Sequence, residues 1–184
     1  YKKEVDELIP HTERKDWAKL RNRLKESGIR NSTLMALMPS ETSAQISNAT
    51  NGIEPPRAYV SVKQSKDGVL KQVVPGYPYF KNKYELLWDQ QSPEGYLKIM
   101  AVLQKYIDQG ISVNTSYNPQ FYDEEKIPMS TMLQHMLLAY KLGMKQLYYF
   151  NTFDGSGDNM ADKVEEQQLE QSTIQEEDCE SCVI

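Results

Sequence analysis

The chain has 184 residues, 39% hydrophobic and 26% charged, enough for one domain of ordinary size with a real core. No stretch approaches the apolar length of a membrane span, and the charged start YKKEVDELIP does not read as a signal peptide. Ten acidic residues from Asp154 onward face only Lys163, a net of −9 within the chain's total of −5, so residues 1–153 carry +4: a mildly basic body with an acidic tail, not the charge pattern of a nucleic-acid binder.

The first residue is Tyr1, not Met, which points to a fragment, a processed chain or missing leading residues. Between Glu13 and Ser27, Trp17, Leu20 and Leu24 recur at helical spacing, and Gly28 supplies a C-terminal stop. STLMALM (32–38) reads as a short buried strand, and a helix start follows near Ser40. YVSVKQSKDGVLKQVV (59–74) alternates around Asp67-Gly68, the signature of a hairpin. Residues 75–92 are rich in Pro and Tyr, with a helix expected near KYELLWD (83–89).

The second half is more regular. Ser92-Pro93-Glu94 begins a helix with Pro in its first turn, and Tyr96, Ile99, Met100, Leu103 and Ile107 line one face up to Gly110. ISVNTSY (111–117) reads as a strand and QFYDEEKIP (120–128) as a loop. Met132, Leu133, Met136, Leu137 and Tyr140 form a second helical stripe closed by Gly143, and KQLYYFNT (145–152) follows as a strand. Helix–strand–helix–strand with short connections is α/β architecture, with parallel strands joined by a crossover helix. Two or three such strands neither close a barrel nor protect both sheet edges, so the body, residues 1–153, reads as part of something larger. Residues 154–184 are dominated by Gly, Asp, Glu and Gln and read as a flexible tail. Asn31-Ser-Thr, Asn48-Ala-Thr and Asn114-Thr-Ser fit the glycosylation pattern, but without secretion they read as chance matches.

Three features carry chemistry. In LMALMPSETSAQI (34–46), hydroxyls at Ser40, Thr42 and Ser43 cluster at a helix start, just after Pro39. Unpaired N–H groups and a partial positive charge there suit a phosphate, yet Ser and Thr are also ordinary caps, and both readings stand at this point. Glu41 opposes an anion if it points inward. Arg57, after Pro55-Pro56, is a second candidate contact or a solvated arginine. Next, Tyr148-Tyr149 reads as core aromatics; successive strand residues face opposite ways, so the rings can meet only where the strand ends or bends.

Last, Cys179 and Cys182, the only cysteines, stand in the final six residues. Zinc would need His11 and His135 as further donors, one on a linker and one in a helical stripe, and is disfavoured. A redox dithiol fits better. Its neighbours Glu176, Glu177, Asp178 and Glu180 raise the thiol pKa values, which suits a pair that delivers electrons and is re-reduced by another protein. About 25 residues separate Asp154 from Cys179, a coil with a reach of roughly 25–30 Å that extends to about 80 Å.

RNSTLMALMPSETSAQISNATNGIEPPR (30–57), LYYFNTFDG (147–155) and the terminal cysteine pair together resemble the large, catalytic subunit of class I aerobic ribonucleotide reductase. The likeness runs through essentially the whole chain and covers only the C-terminal part of that subunit. It implies the C-terminal part of a ten-stranded α/β barrel, in a cytoplasmic enzyme that reduces ribonucleoside diphosphates to deoxyribonucleoside diphosphates. It further implies that Pro39, Ser40, Glu41, Thr42 and Ser43 hold the substrate's phosphates, with Arg57 near the base. Tyr148 and Tyr149 would relay a radical from the small subunit. Cys179 and Cys182 would reduce the active-site disulfide and be regenerated by thioredoxin or glutaredoxin. The cofactor, a tyrosyl radical with a di-iron centre, would belong to the small subunit, and no metal to this chain.

The family also needs a thiyl-forming cysteine and an active-site pair, and this chain has no cysteine before residue 179. The expectation is a polypeptide inactive alone: an excised fragment, or one half of a split subunit that assembles with an N-terminal part. The rival readings are a non-enzymatic phosphate-binding α/β module with a partner-recruiting tail, and a free-standing thiol–disulfide oxidoreductase.

Overall fold

The computed structural model describes residues 3–9, 14–50, 52–65 and 68–155. They fall into two compact units, one formed by Tyr1–Met38, Ser92–Thr115 and Tyr122–Asn151, the other by Pro39–Gln91, Ser116–Phe121 and Thr152–Ile184.

In the first unit, helix α1 spans Trp17–Ser27. Asp16 caps it, its carboxylate accepting the Lys19 N–H at 2.9 Å, and Gly28 ends it at φ +71°, where a side chain would be strained. Two short helices belong to the second unit, α2 at Glu41–Ile46 and α3 at Tyr77–Phe80, and the first unit continues with α4 at Glu94–Gln104. Ser92 Oγ accepts the Glu94 N–H at 3.2 Å at the start of α4. The core forms where α4 lays Leu97 and Met100 against Ile107, Ile111 and Val113, and a smaller cluster joins Val5, Ala101 and Leu142. Lys105, at the end of α4, pairs with Asp6 of the Lys3–Glu7 turn. Gln104 Nε2 donates to the carbonyls of Ile107 and Gln109, both at 2.8 Å, and so turns the chain out of the helix into the extended run that begins at Ile111.

That run bonds on one side to the segment before Pro39: Leu37 and Ile111 form a parallel bridge, Ser112 N–H donating to Leu37 O at 3.2 Å. The Asp108 carboxylate clasps the same segment, accepting the Leu34 and Met35 N–H groups at 2.6 Å each. On its other side, Tyr148 N–H donates to Val113 O and Thr115 N–H to Tyr149 O, so partners advance in the same sense and the pairing is parallel. Strands β3 (Thr115–Tyr117) and β4 (Phe150–Thr152) continue it, with α5 (Met129–Lys141) as the crossover helix expected between them.

In the second unit, β1 (Val60–Ser65) and β2 (Gly68–Val73) form the expected antiparallel hairpin, with Ser65 opposite Gly68. Its buried residues include Ala44, Val60, Val74, Tyr77 and Leu87. No described helix is long and apolar enough to cross a membrane.

Several expectations need correction. STLMALM makes one bridge and not a strand, and Leu34, Met35 and Met38 are exposed instead of buried. KYELLWD is no α-helix: Lys81–Lys83 and Leu87–Asp89 are separate 3-10 turns, with Tyr84 and Leu86 extended and the Leu87 N–H committed to Pro56 O at 2.9 Å. On α4 the buried line is Leu97, Met100, Ala101 and Gln104, with Ile99 turned outward. On α5 it is His135 and Ala139; Leu133, Met136, Leu137 and Tyr140 are exposed. Both helices exist as expected, but periodicity alone misplaced the buried arc by about one residue.

Two outcomes follow. Met100, fully buried, should cost about 2–5 kcal/mol when cut to Ala, whereas Leu133→Ala, at an exposed position, should stay within about 0.5 kcal/mol. Urea midpoints decide, and the reverse order would refute this packing. The bonds from Met35 and then Leu34 hold the Asp108 pKa below the ordinary carboxylate value. A depressed folded pKa stabilises the fold above the unfolded value, and that stabilisation is lost as pH falls through the folded one. Asp108→Asn should therefore lower the urea midpoint at pH 7, with the gap to the parent narrowing on acidification; a gap constant in pH would contradict the clasp.

Candidate functional site

The first unit resolves how two adjacent tyrosines can meet. In a regular parallel ladder, the residue whose N–H goes to position i also accepts, through its carbonyl, the N–H of position i+2. Here those two tasks are divided. Tyr148 donates to Val113 O at 2.7 Å, but Tyr149 accepts the Thr115 N–H, at 2.8 Å. Tyr148 and Tyr149 thus stand together opposite Asn114, a β-bulge. The bulge undoes the usual alternation, and both rings lie on one side: centroids 4.0 Å apart, planes tilted by 49°, with Tyr149 O–H donating to the Tyr148 oxygen at 3.2 Å. Both side chains are about half exposed, 51% and 56%, not core residues. Donating a hydrogen bond stabilises the neutral phenol, so the Tyr148 hydroxyl, first by that bond and then by its charge when ionised, raises the Tyr149 pKa above the ordinary value.

In the second unit, Pro39 is exposed and α2 begins at Glu41. Ser40 Oγ and Ser43 Oγ stand 3.0 Å apart, and the Ala44 N–H donates to Ser40 O at 3.1 Å. Ala44 is buried beneath the turn, so the hydroxyls of Ser40 and Ser43 converge above an anchored backbone. Ser47 Oγ donates to Ser43 O at 2.8 Å, and Gln72 of β2 donates to Ala49 O at 2.7 Å, fixing the far end of the helix. The side chains of Glu41 and Thr42 lie outside the described set. Arg57 is not simply solvated: its guanidinium carbon sits 5.8 Å from the centroid of the Trp88 ring, and Trp88 packs on Phe153 with centroids 5.2 Å apart.

Cys179, Cys182 and His11 lie outside the described residues. His135 is buried, with Nε2 3.3 Å from Ser92 Oγ, and burial lowers its pKa. It serves the α4–α5 packing. The residue that sequence reasoning missed is Asn114, which appeared only as a glycosylation match. Its Oδ1 accepts the Tyr149 N–H at 3.2 Å. No local signal marks it, because its relation to Tyr149 is a matter of strand register across 35 residues.

The family model for the ribonucleotide reductase barrel domain matches residues 1–79 and 76–150. A ribonucleoside-diphosphate reductase 1 subunit alpha from Salmonella typhimurium is 52% identical over 98% of this chain, which covers 23% of that protein. The ribonucleoside-diphosphate reductase subunit alpha of Haemophilus influenzae is 56% identical over 88% of the chain and 21% of its own length. The chain therefore spans less than a quarter of these relatives, and it corresponds to their C-terminal part. Among solved structures, the Actinobacillus ureae class Id ribonucleotide reductase alpha subunit superposes with a TM-score of 0.51, at 19% identity, over 83% of this chain and 31% of that one, a likeness of fold.

Tyr148→Phe removes the oxygen to which Tyr149 donates. The Tyr149 pKa should fall toward the ordinary tyrosine value, read by fluorine NMR with fluorotyrosine at 149 in both backgrounds. An unchanged or higher value would contradict the phenol–phenol bond.

Proposed function

The chain belongs to the ribonucleotide reductase barrel-domain family, and on that premise we propose that it is the C-terminal part of a class I large subunit, reducing ribonucleoside diphosphates when assembled with an N-terminal catalytic part and a radical-bearing small subunit. The observation that carries this reading is the phenol pair, with oxygens 3.2 Å apart and ring centroids 4.0 Å apart. A phenoxyl radical on one ring takes a hydrogen atom, one electron and one proton, from the other; the first becomes a phenol again and the radical has moved one ring. The pair moves a radical and cannot start one. The initiating radical comes from the small subunit, where the di-iron centre belongs.

In this reading, Pro39, Ser40, Glu41, Thr42 and Ser43 receive the diphosphate. The convergence of the Ser40 and Ser43 hydroxyls supports that role, since each can turn its O–H toward a phosphate oxygen. Arg57, held over Trp88, serves the nucleoside end. Cys179 and Cys182 carry reducing equivalents from thioredoxin or glutaredoxin to a disulfide on the N-terminal part.

Reconstitution tests the reading. The chain, mixed with an N-terminal large-subunit polypeptide, a small subunit, reductant and a nucleoside diphosphate, should form deoxynucleotide; an assembled complex without activity would refute it. Tyr148→Phe and Tyr149→Phe should each abolish turnover without loss of assembly. Cys179→Ser or Cys182→Ser should block multiple turnovers with thioredoxin yet spare one turnover of pre-reduced enzyme, and unimpaired multiple turnover would remove the dithiol from the cycle.

A further inference from the structure

We propose that Asn114 is a positioning residue for the tyrosine pair, its side-chain carbonyl capturing the Tyr149 N–H that the bulge releases and thereby holding both phenols on one side; the proposal rests on the relay reading above. The bulge gives the donor task to Tyr148 and the acceptor task to Tyr149, so the Tyr149 N–H has no place in the ladder. A strand amide left without a partner favours slippage back to regular register, where alternation would send the two rings to opposite faces. Asn114 stands directly opposite, and its Oδ1 lies 3.2 Å from that nitrogen. Because the backbone group is a donor, the side-chain atom facing it is the oxygen.

The residue type fits the task. Ala at 114 offers no acceptor, and Ser is too short to carry one to the same place. Asp reaches equally far but sets a negative charge beside two phenols. The neutral amide alone holds the bulge without shifting the electrostatics of the groups that exchange the hydrogen atom. Thr115, the next residue, donates its own N–H to Tyr149 O at 2.8 Å, so both backbone polar groups of Tyr149 are held by consecutive residues of one strand.

Hydrogen exchange followed by NMR on the full chain tests the geometry apart from activity. In Asn114→Ala the Tyr149 amide should exchange roughly five- to tenfold faster, as the loss of one hydrogen bond implies. The Tyr148 and Thr115 amides should be unchanged, and Asn114→Asp should keep the protection. Equal exchange at Tyr149 in Asn114→Ala and the parent would overturn the proposal. So would uniform loss at all three amides in both variants, which would mean that position 114 only supports the local fold. In the reconstituted complex, Asn114→Ala should lower kcat at least about tenfold with the KM for nucleoside diphosphate unchanged, and Asn114→Asp should recover part of it. Tyr148→Phe, run alongside, separates the two claims. If it is inactive while Asn114→Ala turns over normally, the positioning role alone is overturned. If it stays active, the relay reading fails, and the exchange result decides whether Asn114 sets the ring geometry.

Discussion

The extended run from Ile111 to Thr115 must satisfy backbone hydrogen bonds on both edges, and the way it does so sets the position of the chemistry in its unit. Its buried side chains, Ile111, Val113 and Thr115, alternate with half-buried Ser112 and Asn114. Alternation puts Ile111 and Val113 into the core with Leu97 and Met100 and turns Ser112 and Asn114 to the other face. One edge is taken by Leu37, and Asp108 fixes that approach by holding the two amides that precede it. The other edge is taken by the tyrosines, with one residue too many for a regular ladder. The extra residue is what aligns the two rings.

How much of this is legible in sequence depends on how far apart the deciding residues lie. The hairpin was readable because Asp67-Gly68 and the flanking alternation are local. The long helices were readable because apolar spacing and Pro93 or Gly143 bound them. Which face each buries was not, since apolar spacing gives the helical period but not the arc that neighbouring elements cover, and on α5 Leu133, Leu137 and Tyr140 stay exposed. Parallel strands are ordinarily covered on both faces, yet in this chain Leu34, Met35 and Met38 stay exposed beside the Leu37 bridge.

The candidate site divides in the same way. Residues 39–43 and the tyrosine pair announce themselves as motifs, and the structure adds that Ser40 and Ser43 converge and that the rings meet. Arg57 could be named but not placed; its seat over Trp88 depends on a turn 30 residues away that pattern reading took for a helix. Asn114 carried a misleading local signal, a glycosylation match, and its working partner is fixed only by register. A residue whose role is to satisfy a displaced backbone group has no signature of its own, because what it compensates is the geometry of another segment.

The bond between the phenols has a direction, and the direction matters for a relay. Tyr149 donates and Tyr148 accepts, and the donor's pKa is raised in consequence. An ordinary tyrosine is already a neutral phenol across the physiological range and the shift runs further that way, so in the proposed relay a hand-off would begin with the proton between the two oxygens and not with a tyrosinate. Moving the electron alone would leave a cationic phenol beside a phenolate, a separation of charge that the surroundings would have to stabilise; moving the proton with it leaves both rings neutral before and after. The geometry that permits this is an oxygen–oxygen approach of 3.2 Å, and it is available only while the bulge holds. A carboxylate at 114 would keep the acceptor but bias the pair electrostatically, and an apolar residue would keep neutrality but leave the Tyr149 N–H without the acceptor that steadies the bulge. A neutral acceptor on the opposite strand meets both conditions, which is why a single amide side chain outside the tyrosine pair bears on whether the pair can act.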